Sequence, residues 1–252
     1  MARILDPKEL AIICPVLNCL DYTKEFIKTI KSKTPYALIF IDNGSTDGTK
    51  KFLSDLQAKG KCLYIRNKGN DGVAKAWNYG IQLAKELYKS QYYAILNNDI
   101  WLHPETLDIM LKTIKTPGVG LVSGADITGR VVEAKDVLTL DIPQKGELKE
   151  TPEFSCFMVK KGTIELIGYF DEKFYPAYFE DNDYHYRMRL KGLRAVREPQ
   201  AIYYHYGSRT IKQGGRVKAS VNAGYMVNEA YFVKKWGGKP GKERFKTPFN
   251  KK

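Results

Sequence analysis

Three stretches of this chain place carboxylate, amide or imidazole groups directly beside apolar or aromatic runs. They are Tyr178–Asp183, Leu96–Asp99 and the strand-like run that ends at His205. A carboxylate next to a hydrophobic core costs free energy unless it is paired, hydrogen-bonded or bound to a metal. Three such placements in one chain predict a single active site that handles a divalent cation and a proton.

The Asn97-Asn98-Asp99 motif follows a fully apolar run and has the chemistry of a divalent-cation site. Mg²⁺ and Mn²⁺ prefer oxygen ligands and usually bridge phosphate oxygens through one or two carboxylates. Asp99 supplies a carboxylate and Asn97 a weaker carbonyl ligand. His205 adds an imidazole, which suits Mn²⁺ somewhat better than Mg²⁺. The alternatives are an ordinary strand-end turn and a structural histidine.

The Glu180-Asp181-Asn182-Asp183 motif begins a predicted helix over 180–191, where the helix dipole favours ionised carboxylates. An ionised carboxylate held near a hydroxyl can act as a general base. Aromatic residues surround the motif and favour a binding pocket, because sugars and bases stack on rings. The alternatives are helix N-terminal acids that pair with nearby arginines, and a plain hydrophobic core.

The first hundred residues alternate between short apolar runs and amphipathic segments. The apolar runs are typical of strands buried on both faces, and they cover Leu10–Val16, Ala37–Ile41, Cys62–Ile65 and Tyr92–Leu96. Strands and helices that alternate at this spacing predict βαβ units and a parallel sheet.

Polar clusters follow these predicted strands at the points where they end. In parallel sheets, ligands bind beyond the carboxyl ends of the strands. The clusters are expected to meet at that edge, and they are Asn18, Asp42-Asn43, Asn67 and Asn97-Asn98-Asp99. Asp42 could accept hydrogen bonds from a ribose or a base, whereas an ordinary capped turn is the alternative for this loop. The chain has no G-x-G-x-x-G dinucleotide fingerprint at this point.

The second half of the chain predicts fewer regular elements. Strands are expected at Gly120–Val122, Phe154–Val159 and Ala201–Tyr204, and helices at Thr106–Lys115 and 219–236. Residues 124–150 are expected to form an irregular hairpin or flap, and the residues after Trp236 a mobile tail.

Positive charge is concentrated at the C-terminus. The segment from Tyr206 to Lys252 carries twelve Lys or Arg residues against two acidic ones, which is +10 of the chain's net +13. Such a segment attracts polyanions, namely nucleic acid, anionic lipid headgroups or acidic glycans. A solubilising, partly disordered tail is the alternative.

The N-terminal residues 1–9 are charged and contain no apolar stretch typical of a signal peptide. No apolar run approaches the roughly 20 residues that span a bilayer. We therefore expect a cytoplasmic protein without a transmembrane segment, which could bind peripherally to a membrane or to nucleic acid.

Taken together, these motifs resemble the large family two of nucleotide-sugar glycosyltransferases, which are inverting enzymes of the GT-A fold. The resemblance covers roughly Leu10 to Gly207. It is carried by Pro15–Asn18, Asp42–Thr49, Asn67–Gly80, Leu96–Asp99, Gly168–Phe174 and Glu180–Asp183, in that order. It implies an α/β fold with a Rossmann-like mixed sheet flanked by helices over residues 1–205, followed by a basic C-terminal helix and tail over 206–252.

The resemblance also implies roles for individual residues. Asp181 matches the family's catalytic base, Asn97 and Asp99 its D-x-D metal motif, and His205 a histidine that some members place on the metal. The first D-x-D carboxylate is Asn97 here, which removes a formal charge and makes strict dependence on Mn²⁺ or Mg²⁺ open to test. Contacts with the donor are implied for Asn18, Asp42, Asn67, Gly72, Trp77, Asn78, Asn97, Asn98 and Glu180.

The expected activity is therefore inverting transfer of a sugar, as by a hexosyltransferase, from a nucleoside-diphosphate sugar to an acceptor hydroxyl. UDP-sugars are the favoured donors. The acceptor could be a glycan, a lipid-linked sugar or a hydroxylated base in DNA. Two other kinds of function remain open: a non-catalytic module that binds sugar nucleotides or nucleic acid, and an unrelated nucleotidyl- or phosphoryl-transferase.

Overall fold

One mixed β-sheet organises the part of the chain that the structure, a computed structural model, describes: residues 5–131, 133–144, 146–207 and 215–251, with the backbone alone for 215–220. The sheet contains eight strands in the order β3-β2-β1-β4-β7-β6-β8-β5. The strands are β1 Leu10–Val16, β2 Tyr36–Asp42, β3 Leu63–Arg66, β4 Tyr92–Leu96, β5 Ile100–Leu102, β6 Val119–Asp126, β7 Cys156–Lys160 and β8 Arg194–His205.

Helices cover both faces of this sheet. They are α1 Leu20–Thr29, α2 Thr49–Ala58, α3 Val73–Leu87, α4 Thr106–Ile114, α5 Lys161–Ile167, α6 Glu180–Leu190 and α7 Gly215–Trp236. Two short 3₁₀ helices lie at Ala134–Leu138 and Pro248–Asn250. None of the described helices is long and apolar enough to cross a membrane.

The sheet is parallel in its first half and mixed in its second. β1 pairs in parallel with both β2 and β4, and β2 pairs in parallel with β3. β7 then runs antiparallel between β4 and β6. The expected Rossmann-like mixed sheet flanked by helices is therefore confirmed.

Burial on both faces explains why β1 is a continuous apolar run. Leu10, Ile12 and Cys14 join the hydrophobic cluster on one face, whereas Ala11 and Ile13 join the cluster on the other. Because successive strand residues point to opposite faces, a strand covered on both sides cannot alternate apolar with polar residues. This packing fixes where β1 ends, and the polar loop begins directly after Val16.

The C-terminal helix α7 shares a core with α6. Its residues Phe232 and Trp236 are buried in a cluster with Phe174, Phe179 and Tyr186. The residues after Trp236 were expected to form a mobile tail, but they are packed against the same region. The Tyr186 hydroxyl donates to the Phe245 carbonyl at 2.8 Å, and Gly237 lies against the Phe245 ring.

The stretch predicted as a hairpin or flap is different in detail. β6 extends to Asp126, well beyond the expected Gly120–Val122, because it pairs with the long strand β8 over most of its length. The 3₁₀ helix follows at Ala134–Leu138, and the described backbone at Lys149 pairs with Arg197. Residues 132 and 145 of this stretch lie outside the described residues.

Gly80 of α3 tests how closely this helix packs on the sheet. A Cβ at Gly80 would lie 2.3 Å from Ile13 Cγ2, whereas a Cβ at Gly162 of α5 has no heavy atom within 4 Å. Gly80→Ala should therefore destabilise the fold by about 1–3 kcal/mol through overpacking. Gly162→Ala should be neutral or stabilise by about 0.4–1 kcal/mol. Urea unfolding of the two variants measures the difference, and equal stabilities would contradict the close packing.

Candidate active site

A cavity of about 330 Å³ opens beyond the carboxyl ends of β1 and β4. It is bounded by the ends of these strands, the start of α3, the loop before α6 and the end of β8. Seven of the residues singled out from the sequence line it: Trp77, Asn97, Asn98, Asp99, Glu180, Asp181 and His205. Residues far apart in the chain therefore meet at the sheet edge where parallel strands place ligands.

Hydrogen bonds join the loops that follow β1, β2 and β3. The Asn18 backbone N–H donates to Ser45 Oγ at 2.7 Å, and Asn18 Oδ1 accepts from the Thr46 backbone N–H at 2.8 Å. Asn67 Nδ2 donates to Asn43 Oδ1 at 2.9 Å. Asn18 and Asn67 do not line the cavity but cross-link the loops that form its base, while Asn43 does line it.

The Asp42 carboxylate does not reach the cavity. It is fully buried, and its oxygens accept from the Ser45 backbone N–H at 2.7 Å and from the Tyr64 hydroxyl at 2.8 Å. Arg66 lies 3.7 Å away and offsets its charge. In this arrangement Asp42 holds the loop after β2, and the nucleoside contact implied for its side chain stays a prediction.

Two residues implied to bind the donor, Asn78 and Gly72, make contacts that position α3. The buried Asn78 donates to the Phe170 carbonyl and accepts from the Phe170 backbone N–H, each at 2.9 Å. Gly72 has a φ of +84°, and a Cβ there would lie 3.0 Å from the Tyr175 ring. These contacts fix the start of the helix that brings Trp77 to the cavity.

Asp99 and His205 form a close pair at the cavity wall. Their atoms Oδ1 and Nε2 are 3.2 Å apart, and β5 and β8 pair with Ile100 opposite His205. His205 Nε2 is buried and has no hydrogen-bond partner within the described residues. The Asp99 carboxylate oxygen and this imidazole nitrogen are a chemically suitable donor pair for a divalent cation.

Only part of a metal coordination sphere comes from these side chains. The described ranges contain no cluster of three or more His, Cys, Asp or Glu residues placed to hold a metal. Asn97 lines the same cavity, whereas Asn98 Nδ2 donates to Thr23 Oγ1 at 2.9 Å and to the Asn18 carbonyl at 3.2 Å. Asn98 thus braces the β4 loop, and a cation here would need ligands from a bound substrate as well.

Glu180 and Asp181 open α6 and line the cavity. Burial raises the pKa of Asp181 above its usual value despite backbone N–H donors, including that of Asn182 at 2.7 Å from Oδ1. The pKa of Glu180 is raised further, first by burial and then by the neighbouring charge of Asp181. Glu180 Oε2 has no hydrogen-bond partner within the described residues. This pair can therefore supply a strengthened base beside a readily protonated acid.

Asp183 has a structural role although it belongs to the same acidic motif. It is fully buried and accepts from Arg187 Nε at 2.8 Å and from Trp236 Nε1 at 2.8 Å. Lys235 Nζ lies 2.6 Å from Asp183 Oδ1, the same oxygen that accepts from Trp236. The alternative of a helix N-terminal acid paired with a nearby arginine thus holds for Asp183.

Several cavity residues were not given an individual role from the sequence. Asn43, Asn70, Ser155, Pro176 and Tyr178 also line the cavity. Asn43 adjoins the polar cluster after β2, and Tyr178 belongs to the aromatic frame of the acidic motif, so both had a local signal. Ser155 had none, because only the antiparallel insertion of β7 beside β4 brings it to the cavity.

Comparisons with known proteins locate this chain among sugar-transferring enzymes. The sequence profile of Glycosyl transferase family 2 matches residues 11–164, more than half of the chain. A galactofuranosyl glycosyltransferase from Leishmania donovani is 33% identical over 79 residues, which are 31% of this chain and 18% of that protein. The chain spans less than a third of the length of this relative and of similar curated proteins.

Solved structures share the fold at low sequence identity. A mannosyltransferase from Pyrobaculum calidifontis, in complex with GDP-Man and Mn²⁺, superposes with a TM-score of 0.65 and 18% identity, over 95% of this chain and 69% of that one. TarS 1-349 from S. aureus, in complex with UDP-GlcNAc, has a TM-score of 0.57 and 17% identity over 78% of this chain and 58% of that one. The fold is thus that of GT-A glycosyltransferases.

Glu180 allows a test of its burial through the pH dependence of stability. The pKa of Glu180 is raised in the folded state. The contribution of Glu180 to folding stability is therefore complete below its unfolded pKa of about 4.3, and it is lost as pH rises through the folded pKa. Glu180→Gln should therefore gain stability relative to wild type as pH rises from 5 to 8. Thermal unfolding across this range measures it, with the exposed Glu147→Gln as a control for the lost charge. A difference that does not grow with pH would contradict the burial.

Proposed function

Because the chain belongs to glycosyl transferase family 2, we propose that it transfers a sugar from a nucleoside-diphosphate sugar to an acceptor hydroxyl. One observation carries this proposal: a single cavity is lined by a carboxylate of raised pKa, Asp181, and by the close pair Asp99 and His205. A base for the acceptor and ligands for the cation on a diphosphate are the two functions that such a transfer requires. UDP-sugars are the favoured donors.

In this proposal Asp181 is the general base. Its carboxylate accepts the proton of the acceptor hydroxyl as that oxygen attacks the anomeric carbon, and the nucleoside diphosphate leaves from the opposite face with inversion. The raised pKa makes Asp181 a stronger base than an exposed aspartate, because proton affinity increases with pKa. The apolar neighbours that raise the pKa also limit access of water to the reacting oxygen.

Asp99 and His205 would hold Mn²⁺ or Mg²⁺, with Asn97 close by. The orphaned Nε2 atom of His205 beside the Asp99 carboxylate is the observation that fits such an ion. When bound, the ion neutralises charge on the diphosphate. With a single carboxylate in the set, metal affinity should depend strongly on the diphosphate, so that free enzyme binds metal weakly and the nucleotide complex binds it well.

Among the described residues of the C-terminal segment, two lysines are already paired with acidic side chains. Lys235 is buried and pairs with Asp171 and Asp183, and Lys239 pairs with Glu229 at 2.9 Å. Lys234, Lys242, Lys246 and Lys251 are exposed, and these are the described lysines we assign to polyanion contact. The acceptor itself, whether a glycan, a lipid-linked sugar or DNA, is left open by this arrangement.

Donor turnover without an added acceptor separates the proposal from its rivals. Water can replace the acceptor, so a transferase should slowly release free UDP from a UDP-sugar. A nucleotidyltransferase would instead release pyrophosphate, and a binding module would release neither. The protein is incubated separately with UDP-glucose, UDP-GlcNAc, UDP-galactose and GDP-mannose in Mn²⁺. Chromatography of the products distinguishes these outcomes.

Asp181→Asn removes the base but keeps the shape of the side chain. Turnover should fall by roughly two to four orders of magnitude, while donor binding stays near that of wild type.

In the wild-type enzyme, kcat should decline toward acid with a midpoint above the ordinary aspartate pKa of about 3.9, since protonation removes the base. Retention of more than about a tenth of the turnover would remove Asp181 from this role.

Asp99→Ala and His205→Ala test the metal pair by binding rather than activity. Both variants should bind UDP more weakly than wild type in Mn²⁺, by roughly 10–100-fold, and as well as wild type in EDTA. Isothermal titration calorimetry in the two buffers makes the comparison, with Asn182→Ala as a control just outside the cavity lining. Equal losses with and without metal would argue against ligation.

A further inference from the structure

The segment Phe174–Phe179 connects two parts of the candidate site. Pro176, Ala177 and Tyr178 line the cavity, and the chain passes directly from Phe179 into Glu180 and Asp181. Any shift of this segment therefore changes both the cavity wall and the first turn of α6. The way in which the protein holds the segment consequently determines where the Asp181 carboxylate lies.

Two consecutive residues of the segment have an unfavourable backbone conformation. Tyr178 has a φ of +78° and Phe179 a φ of +75°, in the left-handed region that bulky residues rarely adopt. Such conformations persist only where the surrounding structure holds them, and they concentrate at functional sites. The segment thus needs an external partner that fixes its carbonyl and amide groups.

Asn228 of α7 is that partner. Its side chain is 1% exposed, and Oδ1 accepts from the Tyr175 backbone N–H at 3.3 Å. Its Nδ2 atom donates to the carbonyls of Ala177 at 2.9 Å and Tyr178 at 3.1 Å. One buried amide therefore holds three backbone groups of the strained segment. Only an amide side chain carries both the carbonyl acceptor and the two N–H donors used here, and Gln is one methylene longer than Asn.

The segment is contacted closely from both sides, by α7 at Gly224 and by the start of α3. A Cβ at Gly224, one turn before Asn228, would lie 2.6 Å from Pro176 Cδ and 2.8 Å from the Tyr175 carbonyl oxygen. On the other side, the Val73 backbone N–H at the start of α3 donates to the Pro176 carbonyl at 3.0 Å. The segment is thus held between α7 and α3.

The far end of α7 is fixed to α6 by buried polar contacts. Lys235 Nζ lies 2.7 Å from Asp171 and 2.6 Å from Asp183, and Trp236 donates to Asp183. These contacts set the position of α7 along α6, and therefore the position of Asn228 relative to Tyr178. The helix is bound at its C-terminal end to the acidic motif and near its middle to the segment that precedes it.

We propose that Asn228 is a positioning residue that holds segment 174–179 and thereby places Asp181 for proton abstraction. The inference rests on the proposed function of Asp181, and it makes the C-terminal helix part of the catalytic apparatus rather than a separate basic appendage. Asn228 itself would touch neither the donor nor the acceptor, since it is buried behind the cavity wall.

The test compares Asn228→Ala with Asn222→Ala, a control at an exposed position six residues earlier on the same helix. In UDP release from a UDP-sugar, Asn228→Ala should lower kcat by roughly ten- to a hundredfold through misplacement of the base. The KM for the donor should stay within about twofold. Asn222→Ala should match wild type. A merely structural role would lower the melting temperature without this split between kcat and KM.

Amide hydrogen exchange provides a readout that does not depend on activity. Asn228→Ala should increase exchange at residues 175–183 and leave β1 and β4 unchanged, and Asn222→Ala should change neither. If Asn228→Ala does not fold, Gly224→Ala, which keeps the amide but separates the helix from Pro176, is measured in the same way.

The proposal is overturned if the folded variant keeps wild-type kcat, or if exchange at 175–183 is unaltered. Failure of the proposed function has a different signature: wild-type protein then turns over no donor, and Asp181→Asn changes nothing. In that case the exchange experiment still decides whether Asn228 holds the segment.

Discussion

The buried carboxylate of Asp183 is the contact on which the arrangement of the site depends. Burying an ionised group without partners is prohibitive, so its interactions with Arg187, Lys235 and Trp236 must form together for α6 and α7 to pack. Arg187 extends the connection, because its guanidinium also donates to the carbonyls of Ile167 and Tyr169. The start of α6, where Asp181 lies, is thereby tied to two separate parts of the chain, the end of α5 with the loop after it and the end of α7.

The opposite side of the cavity is built on a different principle. There the parallel strands end together, and short polar side chains, rather than ions, join the loops that follow them. Asn18, Asn67 and Asn98 each hydrogen-bond another loop or helix, so the amide-rich motifs act mainly as cross-links. Amides can donate and accept at once, which allows these loops to be fixed beside the cavity without adding charge to it.

The sequence predicted the sheet edge better than it predicted the role of each residue on it. Strands such as β1 are continuous apolar runs, and their ends locate the polar clusters, so the meeting of Asn97–Asp99 with Glu180–Asp181 and His205 could be expected. That Asp42 is buried beneath its loop could not, because burial depends on Tyr64 and Arg66 of the next strand. Asn228 carried no local signal at all, since its importance arises only from the packing of α7.

The long separation in sequence between Asp183 and Lys235 also bears on how this protein is made. Strands β1 to β4 are all synthesised within the first hundred residues, whereas Asp183 acquires its partners Lys235 and Trp236 only when α7 emerges from the ribosome. Domains generally fold as units during synthesis, and distant contacts form late. A nascent chain that stalls before residue 235 would therefore contain the strands of the sheet and an acidic motif that lacks these two partners.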